Sequence, residues 1–409
     1  MNIVLRLAWR NLWRQPRRTW LTIGAMVFSN ALLVFMISIQ FGMYELMIDN
    51  TLQAFTGHMQ VQAPGYKDDA KMRQVVPDIS ALAEELRQSL GLETIAARAA
   101  AFALASSDER SYGLQVIGID PQHESQVSTI PGLVRQGRYL GDTMAGEIVI
   151  GAVLARNLRV GLGDEVTLLG SGRDGSFAAA VLTVVGLFES GVPEIDRSIA
   201  EMPLAYFQDV FYMDGAGHQV IIVAPEFAQI ATVKSQVEAA LPDDAGLVVH
   251  DWDALQPGLK QAIQADISGA FFMYGVLVVL VAFSVLNTQL MSVLERTREF
   301  GVVMSLGLKP GRLGRIVMLE TALMGFVGLL LGAFIGGAIT LWLGYRGFSY
   351  PGMEELATNF NLPSRFYPQA TPLTLFVGPA VVWLGSLLAA VYPALRLNWL
   401  HPVEAMRAA

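Results

Sequence analysis

Four long apolar runs divide this chain of 409 residues. Trp20–Ile48 carries no charge before Glu45, Ile267–Leu294 and Thr371–Leu395 carry none, and Ile316–Tyr345 carries only Glu320. A hydrocarbon core of about 30 Å is crossed by roughly 20 helical residues, so each run predicts a transmembrane helix. Phe41, Tyr44 and Ile48 keep the helical period on one face beyond the length a bilayer needs, which predicts a stalk above the first span. Between the first and second runs the pattern changes. His58–Gln62 alternates and stops at Pro64-Gly65, as a strand does. Phe102–Ala105, Leu114–Ile119, Glu147–Ile150, Glu165–Leu169, Ala180–Leu187, Gln219–Val223 and Leu247–Asp251 read as further strands. Ser80–Ser89, Ala152–Asn157 and Ala228–Ala240 read as helices, and Gly161–Asp164 and Gly170–Gly175 as turns. The expected fold class is membrane α-helical, with four transmembrane helices and a large α+β domain between helices 1 and 2. Two lobes are expected in that domain, divided near Asp120 and again near Asp214.

Composition agrees: a mean hydropathy of +0.43 with 16% charged residues is too apolar for a soluble chain of this length. Charge then sets the direction. Arg6, Arg10, Arg14, Arg17 and Arg18 precede the first run. Arg296, Arg298, Lys309, Arg312 and Arg315 fall between the second and third, and Arg396 and Arg407 follow the fourth. These 12 of the 28 basic residues meet only Glu295, Glu299 and Glu404, so the positive-inside rule puts those segments and both termini in the cytoplasm. Glu45–Ala265 holds 29 acidic against 14 basic residues and is expected on the other side. This distribution gives no support to a nucleic-acid partner. Met1–Arg18, with five arginines before an overlong apolar run and no evident small-residue cleavage site, does not read as a secretory leader.

The expected order is a cytoplasmic amphipathic helix at 1–18, the first span with its stalk at 19–48 and an extracytoplasmic core domain at 49–265. The second span follows at 266–294, a cytoplasmic coupling helix at 295–313 and the third span at 314–345. A short outer loop at 346–370, the fourth span at 371–395 and a cytoplasmic tail at 396–409 complete it.

Met1–Gln15 predicts a helix lying in the membrane interface. Leu5, Ala8, Trp9 and Leu12 share one face, Arg6, Arg10, Arg14 and Arg17 another, and Trp9, Trp13 and Trp20 suit headgroup depth. At Leu294–Leu313 the chain leaves the bilayer, because Glu295, Arg296, Arg298 and Glu299 are costly in hydrocarbon. It turns at Gly301, Gly307, Pro310 and Gly311 and re-enters at Ile316. A charged segment pinned between two spans is suited to receive force from a partner. Gly328, Gly332 and Gly336 make one smooth face on the third span, for close packing within a subunit or across a dimer. Glu320, about one turn inside the cytoplasmic edge, is expected to be solvated or paired with Arg315 or Arg396.

Catalytic patterns are sparse. His58, His123, His218 and His250 are scattered without metal-ligand spacing, which points to surface or satisfied histidines. Gly170-Ser171-Gly172 lacks the strand-turn-helix context of a nucleophile elbow. The sequence has no Gly-x-x-x-x-Gly-Lys-Ser/Thr, so ATP is expected on another chain, and with no cysteine there is no thiol chemistry.

Leu294-Glu-Arg-Thr-Arg-Glu-Phe-Gly-Val-Val-Met-Ser-Leu-Gly307 is followed by the third-span start Ile316-Val-Met-Leu-Glu320. The tail reads Tyr392-Pro-Ala-Leu-Arg-Leu-Asn-Trp-Leu-His-Pro-Val-Glu-Ala-Met-Arg407. These stretches resemble the FtsX-like, MacB-type permease family of ABC transporters, and within it the lipoprotein-releasing LolC/LolE permeases. Gly137-Arg138, Glu147–Gly151 and Gly163–Val166 are similar to the family's periplasmic core domain. The resemblance implies a non-catalytic, multi-pass permease of a bacterial inner membrane, its large domain in the periplasm. It also implies a cytoplasmic ABC ATPase dimer that holds ATP and Mg, and a second permease subunit, identical or homologous. No cofactor or metal is expected on this chain. By mechanotransmission such a pair extracts lipoproteins or lipids from the membrane and passes them to a periplasmic carrier. A complex that activates a periplasmic partner and a tripartite efflux permease are the alternative readings. Carried over by position, Glu295, Arg296, Arg298, Glu299, Phe300, Gly301, Leu306 and Gly307 form the ATPase-coupling site. Arg296, Arg298 and Glu299 are its expected polar contacts and Phe300 its apolar one. Phe41, Tyr44, Ile48, Phe271 and Tyr274 are expected on a substrate path between the first span of one subunit and the second span of the other. The sequence departs from MacB in having no fused ATPase motif, and from FtsX in its outer segment of over two hundred residues.

Overall fold

The computed structural model describes residues 3–141, 144–242, 246–349, 351 and 365–399, without the side chains of 3, 4, 49, 50, 53 and 54. Two compact units emerge, 1–44 with 262–350 and 365–409, and 45–261 with 351–364.

In the first unit, α1 (Ile3–Leu12) gives way after a short turn to α2 (Pro16–Thr51). Proline has no N–H and a fixed φ, so Pro16 starts a new helix rather than continuing the old one. The amphipathic helix is thereby shorter than the expected Met1–Gln15, and Arg14 and Arg17 leave its arginine face. α3 (Pro257–Glu295), α4 (Thr297–Ser305), α5 (Pro310–Arg346) and α6 (Pro372–Arg396) follow. Among the described residues four helices, α2, α3, α5 and α6, are long and apolar enough to cross a membrane. Between α4 and α5 the chain reverses at Gly307, whose φ of +94° is one that side-chain-bearing residues rarely adopt. Thr371 caps α6, its hydroxyl oxygen accepting the Thr374 N–H at 3.2 Å.

The glycine stripe of α5 has a definite partner inside this chain. A Cβ at Gly328 would press on Met26, one at Gly332 on Asn30, and one at Gly336 on Val34 and Ala31, all residues of α2. Small residues let the two backbones approach closely where no hydrophobic gradient drives helices together. On its other side α5 is tied to α6, where the Trp383 indole N–H donates to the Ala322 carbonyl at 3.1 Å.

The second unit is a ten-stranded sheet. Its strands are β1 (Met59–Gln62), β2 (Ile95–Ser106), β3 (Ser111–Ile119), β4 (Val134–Gly137) and β5 (Glu147–Gly151). β6 (Glu165–Ser171), β7 (Phe177–Phe188), β8 (Ile199–Pro203), β9 (Gln219–Ile222) and β10 (Val248–Asp251) complete it. The order is β10-β1-β9-β2-β3-β8-β5-β7-β4, and β6 pairs with both β2 and β7, so the path from β2 to β7 closes on itself. One continuous ladder therefore runs through both expected lobes. The ring is narrow, and β2 lines it with Ala97, Ala99, Ala101, Ala103 and Ala105, all buried, which leaves room for Leu154, Leu182, Phe207 and Phe211. His218 is buried too, its Nδ1 accepting the Ala100 N–H at 3.0 Å, and burial lowers its pKa to about 4, so it stays neutral. His58 likewise accepts the Ala224 N–H at 3.0 Å.

A smaller core, with Ile117, Ile119, Val149 and Phe188, covers the outer face of the ring. Beside it lies a buried ionic cluster. The Arg98 guanidinium donates to both carboxylate oxygens of Glu124, donates to the Phe55 carbonyl, and sits 4.9 Å from the Phe55 ring centre. Glu201, fully buried on β8, accepts from the Tyr139 hydroxyl at 2.7 Å, while its Oε1 has no hydrogen-bond partner among the described residues. Burial and the Glu124 charge push the Glu201 carboxyl from 4.5 up to about 8. The folded state thus holds a proton that the unfolded chain releases near 4.5. The stabilisation is complete below that pH and is lost as pH rises towards about 8. Glu201→Gln is expected to flatten this dependence, read by denaturing the detergent-solubilised chain across the window and following near-ultraviolet circular dichroism. Parallel curves for the two proteins would exclude Glu201 as its source.

Candidate functional site

Two places in the helical unit hold the residues singled out from the sequence. The first is α4 and its surroundings. Nine residues give this helix two faces. Phe300, Gly301 and Met304 face inward, where Phe300 and Met304 pack with Ala8, Val293, Leu313, Val317 and Leu397. Phe300, expected to be the apolar contact for a partner, is therefore an internal anchor with 5% of its surface exposed. Gly301 is buried beside it. The outward face carries Arg298, Val302 and Ser305, followed by Leu306 at 83% exposure and Gly307.

The charged residues are also divided by orientation. Arg14 grips Glu299 with two parallel hydrogen bonds of 2.9 and 2.8 Å, and Arg18 donates to Glu295 at 3.0 Å. Arg296 turns inward over the Phe300 ring and reaches both oxygens of Glu320 at 3.3 and 3.4 Å. Asn11 completes Glu320 with a hydrogen bond of 2.8 Å. Glu320 is thus paired with Arg296 and Asn11, not with Arg315 or Arg396, because α1 folds back over the start of α5 and brings Asn11 to it. Arg296, Glu295 and Glu299 already have partners within the chain, which leaves Arg298 as the cation of the coupling set that faces outward without a partner among the described residues. The exposed Arg14–Glu299 and Arg18–Glu295 pairs contribute at most about 1 kcal/mol each. They are weak enough to exchange partners. The Arg296–Glu320 pair, 17% and 6% exposed at its side chains, is the fixed one.

The second place lies towards the far end of α2. Phe41, Tyr44, Phe271 and Tyr274 line one apolar cavity of about 100 Å³, together with Ile37, Ile267, Leu373 and Val377. Four of the five path residues are thus brought together within this chain, between α2, α3 and α6. Ile48 is buried and lies outside this lining. Two residues that the sequence reading passed over fix the geometry. Gln40 accepts from the Tyr274 hydroxyl at 2.7 Å, and Asp266 accepts from the Tyr44 hydroxyl at 2.5 Å. A polar pair inside or beside apolar runs was the available signal, since such residues are costly unless they are bonded to one another. The phenol rings are held by this network, whereas Phe41 and Phe271 remain 43% and 67% exposed at the rim.

The MacB-like periplasmic core domain model matches residues 19–240, and the FtsX-like permease C-terminal model matches residues 271–402. Over 315 residues the chain is 27% identical to the lipoprotein-releasing system transmembrane protein LolC of Xylella fastidiosa strain Temecula1, covering 73% of this chain and 74% of that protein. Over 339 residues it is 24% identical to the lipoprotein-releasing system transmembrane protein LolE of Haemophilus influenzae, covering 80% of each. Among solved structures, the periplasmic region of MacB from Actinobacillus actinomycetemcomitans is similar with a TM-score of 0.36 and 13% identity, over 51% of this chain and 94% of that one.

Proposed function

This chain belongs to the FtsX-like, MacB-type family of ABC transporter permeases, and from that premise we propose that it releases lipoproteins or lipids from a bacterial inner membrane. In this reading the arginine-rich ends of the helices and both termini are cytoplasmic, and the sheet domain stands in the periplasm. A separate ABC ATPase dimer docks on the outward ridge of α4 at Arg298, Val302 and Leu306. A second permease subunit completes the transporter. ATP and Mg are bound and turned over by the ATPase, and this chain passes the movement on through its helices.

The observation that carries the reading is the apolar cavity framed by Phe41, Tyr44, Phe271 and Tyr274. Its exposed phenylalanine rim is suited to an acyl chain leaving the outer half of the bilayer, and its fixed phenols to the more polar part of an acylated substrate. Similarity to LolC and LolE over some three quarters of the chain supports the same class of cargo.

A photoreactive residue at Phe41 or Phe271 is expected to capture lipoprotein or lipid, with the adduct declining when the ATPase is cycling. Phe334, exposed on α5, serves as a control for passing lipid. Equal labelling at Phe334, or none at Phe41 and Phe271, would remove this assignment.

A further inference from the structure

At the opposite end of α2 a different site is built. A cavity of about 200 Å³ is lined by Arg14, Arg18, Arg296, Glu299 and Glu320, with the buried Gln289 beside them. Two of its guanidinium groups keep a buried N–H with no acceptor among the described residues, Nη2 of Arg18 and Nε of Arg296. The latter lies 3.6 Å from Glu299 Oε2, beyond hydrogen-bond reach. Buried donors of this kind are costly unless something accepts from them. The carboxylates here are bonded: Glu299 accepts from Arg14 with both oxygens, and Glu320 accepts with both of its own. What the cavity lacks is an acceptor, not a donor.

One helical turn further into the bundle, a second, largely apolar cavity of about 230 Å³ runs along the same seam between α2 and α3. Thr19 and Thr288 line the polar cavity, and Thr22, Ser284 and Val285 line the apolar one, so the two adjoin along both helices. Thr22 to Ser29 spans about 10 Å of helix, room for part of an acyl chain. Trp9, Trp13 and Trp20, all exposed, cluster at this end of the unit, as side chains at a headgroup layer do.

We propose that this pair of cavities is a binding site for one phospholipid of the leaflet at the arginine-rich end, with a zwitterionic phosphate–ammonium headgroup. The phosphate oxygens accept from Arg18 and Arg296, as guanidinium forks and phosphates pair. The ammonium group lies against Glu299, which is 46% exposed at its side chain. One acyl chain occupies the groove beside Ala25 and Val281. The balance of charge selects the headgroup: Arg14, Arg18 and Arg296 are matched by Glu295, Glu299 and Glu320, so a purely anionic lipid would leave a carboxylate facing its own kind. Its headgroup end is separate from the cavity of the proposed substrate path, Arg18 lying roughly 35 Å along α2 from Phe41, while the apolar groove ends at Ser29, about 12 Å along the helix from Ile37. A lipid here would brace α2, α3 and α4 against one another, next to the ridge on which the ATPase is proposed to dock.

The test uses the full chain, delipidated in mild detergent and offered phosphatidylethanolamine, phosphatidylglycerol or inorganic phosphate, with binding read by native mass spectrometry. The wild type is expected to retain phosphatidylethanolamine in preference to the other two. Arg18→Gln removes a charge-assisted contact and is expected to weaken retention roughly tenfold or more. Ala25→Phe fills the groove without touching a charge and should do likewise, which separates lost binding from a disturbed ion-pair network. Equal retention by wild type and both variants, equal uptake of phosphatidylglycerol, or binding of phosphate alone overturns the proposal. So does a crosslinker at Ser29 that captures a second permease chain instead of lipid. Photolabelling at Phe41 and Phe271 reads the substrate path independently, so either assignment can fail without the other.

Discussion

Arg298→Glu combined with Leu306→Asp is expected to release the partner ATPase while leaving the four long helices inserted. Both side chains sit on the outward face of α4, where Leu306 is 83% exposed, and neither is part of the packed cluster around Phe300. Two central contacts of a docking ridge are worth about 2 kcal/mol each, so association should weaken by roughly a thousandfold. Co-purification of the ATPase from membranes reads the loss, and protease protection of the sheet domain reports insertion. Phe300→Ala separates docking from stability. It removes a buried aromatic ring, which costs about 3–5 kcal/mol, and should lower the yield of folded permease rather than its affinity for the ATPase. A well-folded Phe300→Ala that fails to bind, beside a double variant that binds normally, would reverse the roles assigned to the two faces.

The contrast between Phe300 and Leu306 marks what the sequence does and does not carry. The long apolar runs were legible because the bilayer requirement is one-dimensional: length and the absence of charge are enough to expect α2, α3, α5 and α6. The charged break at Glu295–Glu299 was legible for the same reason. Which face of a nine-residue helix is buried is decided by Ala8, Val293, Leu313 and Leu397, from four separate parts of the chain, and nothing local to α4 records it. Glu320 makes the same point. Its partner Asn11 is 309 residues away, and the nearer arginines considered from sequence have no part in the pairing.

In the sheet domain, β1 showed itself by alternation, and β3, β5, β6, β7, β9 and β10 as short runs rich in β-branched residues. The first half of β2 did not, because Ile95-Ala-Ala-Arg-Ala-Ala-Ala reads as helix-forming alanine until the narrow ring that requires small side chains is known. β8, Ile-Ala-Glu-Met-Pro, is buried at every position and so has no polar face to alternate with. β4 is four residues long, three of them exposed, and pairs only with β7. Gln40 and Asp266 were missed because each is unremarkable alone. Their meaning lies in Tyr44 and Tyr274, which reach them from facing helices.

The buried charge on β2 leads to the second large effect. Arg98→Met leaves Glu124, with no exposed surface, facing a methionine in place of its counter-charge. Removing one partner of a fully buried pair costs about 3–5 kcal/mol, and here Glu201 lies close enough to feel the unbalanced charge as well. Replacing both partners, as Arg98→Met with Glu124→Leu, should recover much of that loss, because two apolar side chains need no compensation. Arg98 does more than neutralise Glu124, however. It also donates to the Phe55 carbonyl in the π-helical turn Leu52–Thr56, which continues the chain from α2 into β1, and its guanidinium covers the Phe55 ring. The double variant restores charge balance but not this contact. It is therefore expected to regain thermal stability while hydrogen exchange at Leu52–Gly57 stays faster than in the wild type. If exchange there returns to the wild-type rate together with stability, the arginine serves only to balance Glu124, and the turn after α2 is held by its other bonds: the Gly57 N–H to the Leu52 carbonyl at 2.7 Å and the Gln60 amide to the Thr56 carbonyl at 2.7 Å.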